Sequence, residues 1–352
     1  MSNLNLYQGK RVFLTGHTGF KGGWLLAVLH KLGAHVKGYA LAPEDPRGIY
    51  TIINGPDLCE SVLGDIRNQE MLEQEICSFK PDFIFHLAAQ PLVRSSYENP
   101  SYTFSVNILG TSYLLEAVSK LKNKCTVVVV TTDKVYENRE WEFAYRENDR
   151  LGGHDPYSTS KACTELVTES FRKSVFNVET YSIHQKAVAT ARAGNVIGGG
   201  DFSKDRIVPD LIRSLEGKNK LKIRNPKSIR PWQHVLEPVV GYLSLGLLLE
   251  KDPQVHSRAF NFGPCLDDHI SVEELVIRAL KVWGSGTYEI LKTDNLHESN
   301  LLSLDIGLSA KLLSWHPCMS SGSSIQKTME WYRSDNPAKV TDEQIKEFLS
   351  AK

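Results

Sequence analysis

What this sequence lacks narrows its chemistry before any motif is considered. Its six cysteines, at 59, 77, 125, 163, 265 and 318, are far apart, with no C-x-x-C pair and no companion histidine spacing for zinc. That excludes a disulfide scaffold and a structural metal site, and predicts reduced thiols in a cytoplasmic protein with no metal. Neither sign of charge is in excess: Lys plus Arg and Asp plus Glu are 41 each, so no overall field exists to gather nucleic acid or anionic lipid. An anionic ligand must be held by local groups. No apolar run approaches the roughly 20 residues needed to cross a bilayer. The polar opening MSNLNLYQGK has no signal-peptide core, which predicts a soluble protein. Internal repeats and low-complexity tracts are absent as well.

What is present is an alternation of two textures. Short β-rich apolar runs (RVFLT, HVKGYAL, SVLGD, PDFIFHLAA, TVVVVTT) are separated by amphipathic stretches such as GGWLLAVLHKLGA and NILGTSYLLEAVSKLK. Near-continuous apolar strands joined by helices predict an α/β fold, a doubly wound parallel sheet covered on both faces. From about residue 200 the connections become longer and more polar around helical patterns such as IVPDLIRSL and SVEELVIRALKVWG. The reading is a first domain over 1–190 and a smaller mixed α/β lobe over 191–352, some of whose segments return to the first domain.

TGHTGFKGGW, residues 15–24, follows the first strand directly and spaces Gly16, Gly19 and Gly22 three apart. Strand, glycine-rich turn and helix start are the setting in which helix N-terminal N–H groups meet a pyrophosphate. The spacing is GxxGxxG, yet dinucleotide binding remains the stronger reading. The acidic residue usual at the end of the second strand is missing: the chain reads GYALAPEDPRG, with Asp45 late and Arg47 after it, so NAD and NADP both stay open. Asp65, in GDIRN, either meets the adenine or caps the next helix.

DPYSTSK, residues 155–161, places Tyr157 and Lys161 four apart on one helical face, behind a capping Asp155 and a first-turn Pro156. A phenol titrates near 10, and an adjacent ammonium lowering it about three units must supply roughly 4 kcal/mol. Downstream of a glycine-rich turn, Tyr157 then reads as an acid/base for a sugar or alcohol hydroxyl whose carbon gives hydride to a nicotinamide.

With TTDKVYEN (131–138), HLAAQPLVRSSY (86–97), RAGNVIGGGDF (192–202) and RPWQHVLEP (230–238) added, the chain resembles the extended short-chain dehydrogenase/reductase family. The likeness runs almost full length, to LLSWHP and MEWYRSD. Within the family it resembles the nucleotide-sugar 4,6-dehydratases. Lys134 stands where dTDP-glucose dehydratases usually carry Glu and points to the branch acting on CDP-glucose. The resemblance implies a Rossmann-type NAD-binding domain over 1–190 and a nucleotide-sugar lobe over 191–352. It implies that Tyr157 deprotonates the 4-hydroxyl, Thr132 bonds the same oxygen, and Lys161 holds the tyrosinate and the nicotinamide ribose. Hydride passes from C4 to tightly held NAD and returns to C6 after loss of the C5 proton and the C6 hydroxyl. Asp133 is the implied acid for that hydroxyl, with an objection: a cationic Lys134 beside it would lower its pKa, so the two are read as a coupled pair.

The implied cofactor contacts are Gly16, Thr18, Gly19, Phe20, Gly22, Asp65, Ile66, Leu87, Ala88, Ala89 and Gln90, with Tyr157 and Lys161. For Ala88 and Ala89, ordinary core packing is the competing and lesser reading. On the substrate side, Asn195 and Arg230 resemble diphosphate ligands, His234 reads either as a ligand or as a structural histidine, and Arg94 and Tyr97 reach the hexose or join the lobes. A homodimer or homotetramer built on helices within 102–121 and 157–173, and a place in deoxysugar synthesis for a surface polysaccharide, also follow from the resemblance alone. Another nucleotide-sugar dehydratase, a 4-epimerase, or a non-catalytic dinucleotide sensor are the alternatives.

Overall fold

The computed structural model describes residues 3–291 and 302–351. Among these, seven strands form one parallel sheet: β1 (Arg11–Thr15), β2 (His35–Ala40), β3 (Glu60–Leu63), β4 (Phe83–His86), β5 (Cys125–Val130), β6 (Lys186–Ala193) and β7 (Ala259–Phe262). Their order across the sheet is β7-β6-β5-β4-β1-β2-β3. The order reverses between β1 and β4, and the crevice beyond the carboxyl ends of those two strands is where such sheets bind ligands.

The central strands are apolar without alternation because both faces are covered: β5 and β6 are buried at every position. One face packs on α1 (Phe20–Lys31) and, further along the chain, on a helix at Leu236–Lys251. The other packs on α2 (Gln69–Phe79), α3 (Gly110–Lys120) and α4 (Pro156–Ser174). On the Leu236–Lys251 helix, Leu236, Leu243, Leu245 and Leu249 are fully buried, each worth roughly 2 kcal/mol of transfer free energy. No helix among the described residues is long and apolar enough to cross a membrane.

A boundary at 190/191 falls inside β6, and the segments beyond it that pack with the first body, as the sequence reading allows, are β7, the helix at Leu236–Lys251, and Trp315, Trp331 and Phe348 of the C-terminal segment. Each added parallel strand needs a crossover connection, and the second lobe is drawn partly from the connection between β6 and β7 and partly from segments after β7. That lobe has its own core around Leu211, Ile212, Ile223, Trp232, Leu275 and Met329, with short strand pairs at its edge.

Candidate active site

Gly16 ends β1 at φ +76°, a left-handed conformation that glycine adopts without steric cost. A Cβ there would stand 2.8 Å from the Ala88 nitrogen, and one on Gly22 would stand 1.9 Å from the Gly16 carbonyl. The first glycine therefore lets β1 lie against the segment after β4, and the third lets α1 close on the turn. Gly19 is exposed at the start of α1, whose N-terminus carries no side-chain cap. Uncapped N–H groups facing a crevice floored by partly exposed Leu87, Ala88 and Ala89 fit a dinucleotide pyrophosphate. The Thr18 hydroxyl donates to the Leu41 carbonyl at 2.8 Å, just beyond the carboxyl end of β2.

A buried polar chain fixes this floor, and the sequence reading missed it. The Leu87 and Ala88 amides both donate to Thr15 Oγ1 at 3.1 Å. The threonine's own proton is thus left for His86 Nδ1 at 2.7 Å; Nε2 then donates to Thr111 Oγ1 at 3.0 Å, and Thr111 donates to the Asn107 carbonyl at 2.7 Å. Burial, with Lys161 adding, lowers the His86 pKa to about 3, so the ring is neutral. The Asn107 amide bonds the Gln90 carbonyl and Ser160, and ties the floor to α4. An asparagine in the apolar run VNILGT was the available signal.

Several expected cofactor contacts also have partners within the protein. The Gln90 side chain spends its amide on Thr103 and on Leu92, so it shapes the loop and does not face the crevice. The Asp65 carboxylate is held by the Arg67 guanidinium at 2.6 Å, while Ile66 is buried against Gly110. Arg47, the residue that left NADP open, pairs with Asp45 at 2.9 Å and Glu216 at 3.2 Å and stacks 4.2 Å over Phe202.

The reactive groups meet in a cavity of about 690 Å³ between the lobes, lined by Thr132, Asp133, Lys134 and Tyr157 from one side and Asn195 and Arg230 from the other. Thr132 caps a short turn after β5 and donates to Asp133 Oδ1 at 2.9 Å. Tyr157 sits in the first turn of α4, fixed by an Asp155–Ser158 capping box and by its amide on Ser96 Oγ at 3.1 Å. Arg94 and Tyr97 are at the cavity wall, Arg94 paired with Asp205 at 3.2 Å. His234 is not brought to the cavity: it is fully buried, edge-on to Trp24, and accepts the Leu236 amide on Nδ1. Burial lowers its pKa to about 3, and its role is packing.

Burial sets the charge states of these groups in the free protein. Tyr157 lies at about 12 because burial raises it, while Thr132 and Arg206 pull it down; it does not approach 7 in the free protein. Lys161 is itself lowered to about 8 by burial, and its Nζ donates to the Val130 carbonyl at 3.2 Å. For Asp133, burial raises the pKa by more than Lys134, Thr132, Arg230 and Lys21 lower it. Lys134 does pull it down, as expected, but burial outweighs that pull: the carboxyl is 2 % exposed and has an Oδ2 with no hydrogen-bond partner. Gly194 makes room for that oxygen, since a Cβ there would lie 3.0 Å from it. Lys21, Asp201 and Arg206, absent from the sequence reading, line the same cavity.

A doubly wound sheet with a glycine-rich turn at its switch point, and a Tyr-x-x-x-Lys pair beside it, defines a Rossmann enzyme of the short-chain dehydrogenase/reductase type. The family model described as GDP-mannose 4,6 dehydratase matches residues 13–258. CDP-glucose 4,6-dehydratase of Salmonella typhimurium is 46% identical over 356 aligned positions, covering 100% of this chain and 99% of that protein. dTDP-glucose 4,6-dehydratase of Streptomyces antibioticus is 25% identical over 93% of each chain. Among solved structures, the dTDP-glucose 4,6-dehydratase DesIV of Streptomyces venezuelae, with NAD and TYD bound, superposes at a TM-score of 0.78 with 23% identity, covering 92% of this chain and 97% of that one. The chain belongs to the GDP-mannose 4,6-dehydratase family, the nucleotide-sugar 4,6-dehydratases.

Proposed function

We propose that the protein converts CDP-glucose to CDP-4-keto-6-deoxyglucose and water. The observation that carries this reading is Asp133, a buried carboxyl whose pKa is raised beside Thr132 and Tyr157 in the catalytic cavity. Expelling a C6 hydroxyl needs a proton donor at neutral pH, whereas a 4-epimerase needs none. The CDP-glucose dehydratase at 46% identity supports the choice of nucleotide.

NAD fits the crevice at Gly16, Gly19, Gly22 and Leu87–Ala89; when bound it supplies a hydride acceptor for C4, a hydride donor for C6 and a positive nicotinamide ring. Commitment of Arg47 to Asp45, Glu216 and Phe202 supports NAD over NADP, since its guanidinium is already engaged where a 2′-phosphate would need it. Tyr157 takes the proton of the sugar 4-hydroxyl, with Thr132 hydrogen-bonding the same oxygen. Each pKa unit by which Tyr157 comes down from about 12 takes about 1.4 kcal/mol, drawn from Lys161, Arg206 and the charge of the bound ring. Lys134 faces the C5 proton, acid once C4 is a ketone, and Asp133 hands its own proton to the departing C6 oxygen. Asn195 and Arg230 hold the diphosphate from the second lobe. Exposed Leu109 and Leu166, in the segment 102–121 and on α4, support self-association through those helices, to be checked by light scattering.

The test is incubation of the purified protein with CDP-, dTDP- or UDP-glucose, without added cofactor, followed by mass analysis of the sugar nucleotide. Loss of water from CDP-glucose alone is expected and also reports cofactor carried through purification. No loss with any of the three, even after NAD is supplied, overturns the reading.

A further inference from the structure

Lys21 is the second residue of α1, where the helix macrodipole disfavours a cation, and its side chain lines the catalytic cavity. The reaction as set out gives it no task. The charges it faces come from two other segments: Asp133 after β5, and Asp201 and Arg206 beyond the Gly198–Gly200 loop. Lys161 on α4 is held down in part by Lys21 in turn. Asp201 and Arg206 satisfy each other at 2.9 Å. The carboxyl left for Lys21 is therefore Asp133, whose buried Oδ2 has no hydrogen-bond partner.

We propose that Lys21 promotes loss of water by stabilising the carboxylate that Asp133 becomes on giving up its proton. The inference rests on the dehydratase reading. In the step, the base takes the C5 proton and the C5–H electron pair becomes the C5=C6 double bond. The C6–O pair leaves with its oxygen, and the Asp133 proton completes the water. Negative charge then appears on Asp133 in a site largely shielded from solvent, where a fixed cation is worth far more than in water. Asp133 also faces Lys134, Arg230 and Tyr157. Lys21 and Lys134 are both partly buried and Arg230 belongs to the second lobe; of the three, Lys21 alone is carried on the cofactor-side helix α1. Burial, with Arg206 adding, brings its pKa to about 8 against the pull of Asp133 and Asp201. It is thus an ammonium at neutral pH and able to return a proton to Asp133. Lys21 is a positioning residue that acts through Asp133.

The experiment compares wild type, Lys21→Met and Lys21→Arg, each loaded with NAD and mixed rapidly with CDP-glucose. Absorbance of reduced nicotinamide follows oxidation at C4, quenched samples follow water loss, and calorimetry gives CDP-glucose affinity. Lys21→Met should still bind substrate and oxidise C4, with Lys161 released from a like charge, but lose water at least about tenfold more slowly than it oxidises C4, so the reduced-nicotinamide signal accumulates. With the cation gone Asp133 holds its proton more tightly, and the alkaline limb of the pH–rate profile moves to higher pH. Lys21→Arg should recover most of the rate. Water loss at the wild-type rate, an unmoved pH profile, or a deficit explained wholly by weaker binding overturns the proposal. Should Lys21→Met melt early, the Lys21→Arg profile decides: an arginine restores the charge without the ability to return a proton at neutral pH. Inactive wild type sinks the dehydratase reading, whereas active wild type with unaffected variants sinks only the role of Lys21.

Discussion

Replacing Asp133 with asparagine is expected to remove activity and raise stability, with a pH dependence that exposes the cause. Without its proton donor the protein should lose about 10²–10⁴ in the rate of water loss, while Tyr157 and Thr132 still oxidise C4. Stability follows from the raised pKa: the folded protein holds the Asp133 proton more tightly than the unfolded chain does, because burial penalises the carboxylate. That contribution is complete below the unfolded pKa of about 3.9 and is lost as pH rises through the folded value, at about 1.4 kcal/mol per unit of difference. Asparagine does not titrate. Its Oδ1 can keep the 2.9 Å bond from Thr132, and the position of Oδ2 has no partner in either protein, so the two should be nearly matched near pH 4. From there the variant should gain on wild type up to the folded pKa and then level off. Urea unfolding across pH 4–9, with mass analysis of product, measures both effects. A variant that is less stable at every pH, or that gains only in acid, would mean that Asp133 is an anion paired with a neighbouring lysine, and would refute the assignment.

Gly16→Ala, which puts a Cβ 2.8 Å from the Ala88 nitrogen at a left-handed φ of +76°, should strain the turn by about 1 kcal/mol or more and weaken NAD binding about tenfold. Calorimetric titration with NAD checks it, and unchanged affinity would remove the turn from the cofactor site. Glu165→Gln breaks a pair buried to 2% and 4% exposure with Arg192 at 2.9 Å and should cost about 3–5 kcal/mol in urea unfolding; a loss below about 1 kcal/mol would place the pair in a wetter setting. Lys161 falls from 10.5 to about 8 in the folded protein. The unfolded chain therefore holds that proton to higher pH, and wild type should gain about 2 kcal/mol between pH 8 and 10 relative to Lys161→Met. Parallel stability curves would contradict the buried setting of Lys161.

The parts of this enzyme that depend on local spacing were legible in its sequence. The three glycines after RVFLT, the continuous apolar strands and the cap-proline-tyrosine-lysine order of DPYSTSK each follow from backbone geometry over a few residues. Groups brought together by winding were not. His86, Thr111 and Asn107 read separately as a strand end and two helix interiors, and only the β4–α3–α4 packing joins them. Lys21 was not singled out because the groups it shares the cavity with, Asp133, Asp201 and Arg206, lie more than a hundred residues away. His234 failed in the opposite sense: RPWQHV marks it as polar and near the site, while packing turns it onto Trp24. Gln90 shows the same limit, since neighbouring Thr103 and Leu92 claim its amide. The sign of the Asp133 shift depended on burial against one adjacent lysine, a balance of depth that sequence does not contain.

The central claim is that one cavity oxidises C4, removes water across C5–C6 and reduces C6 within a single bound sugar. A mixture of CDP-glucose deuterated at C4 with unlabelled CDP-glucose tests it directly by NMR and mass analysis of the product. The account predicts deuterium at C6 of the 6-deoxy product, with no exchange of label between molecules. Deuterium retained at C4 of an epimerised sugar, washed out to solvent, or spread across both populations would contradict it.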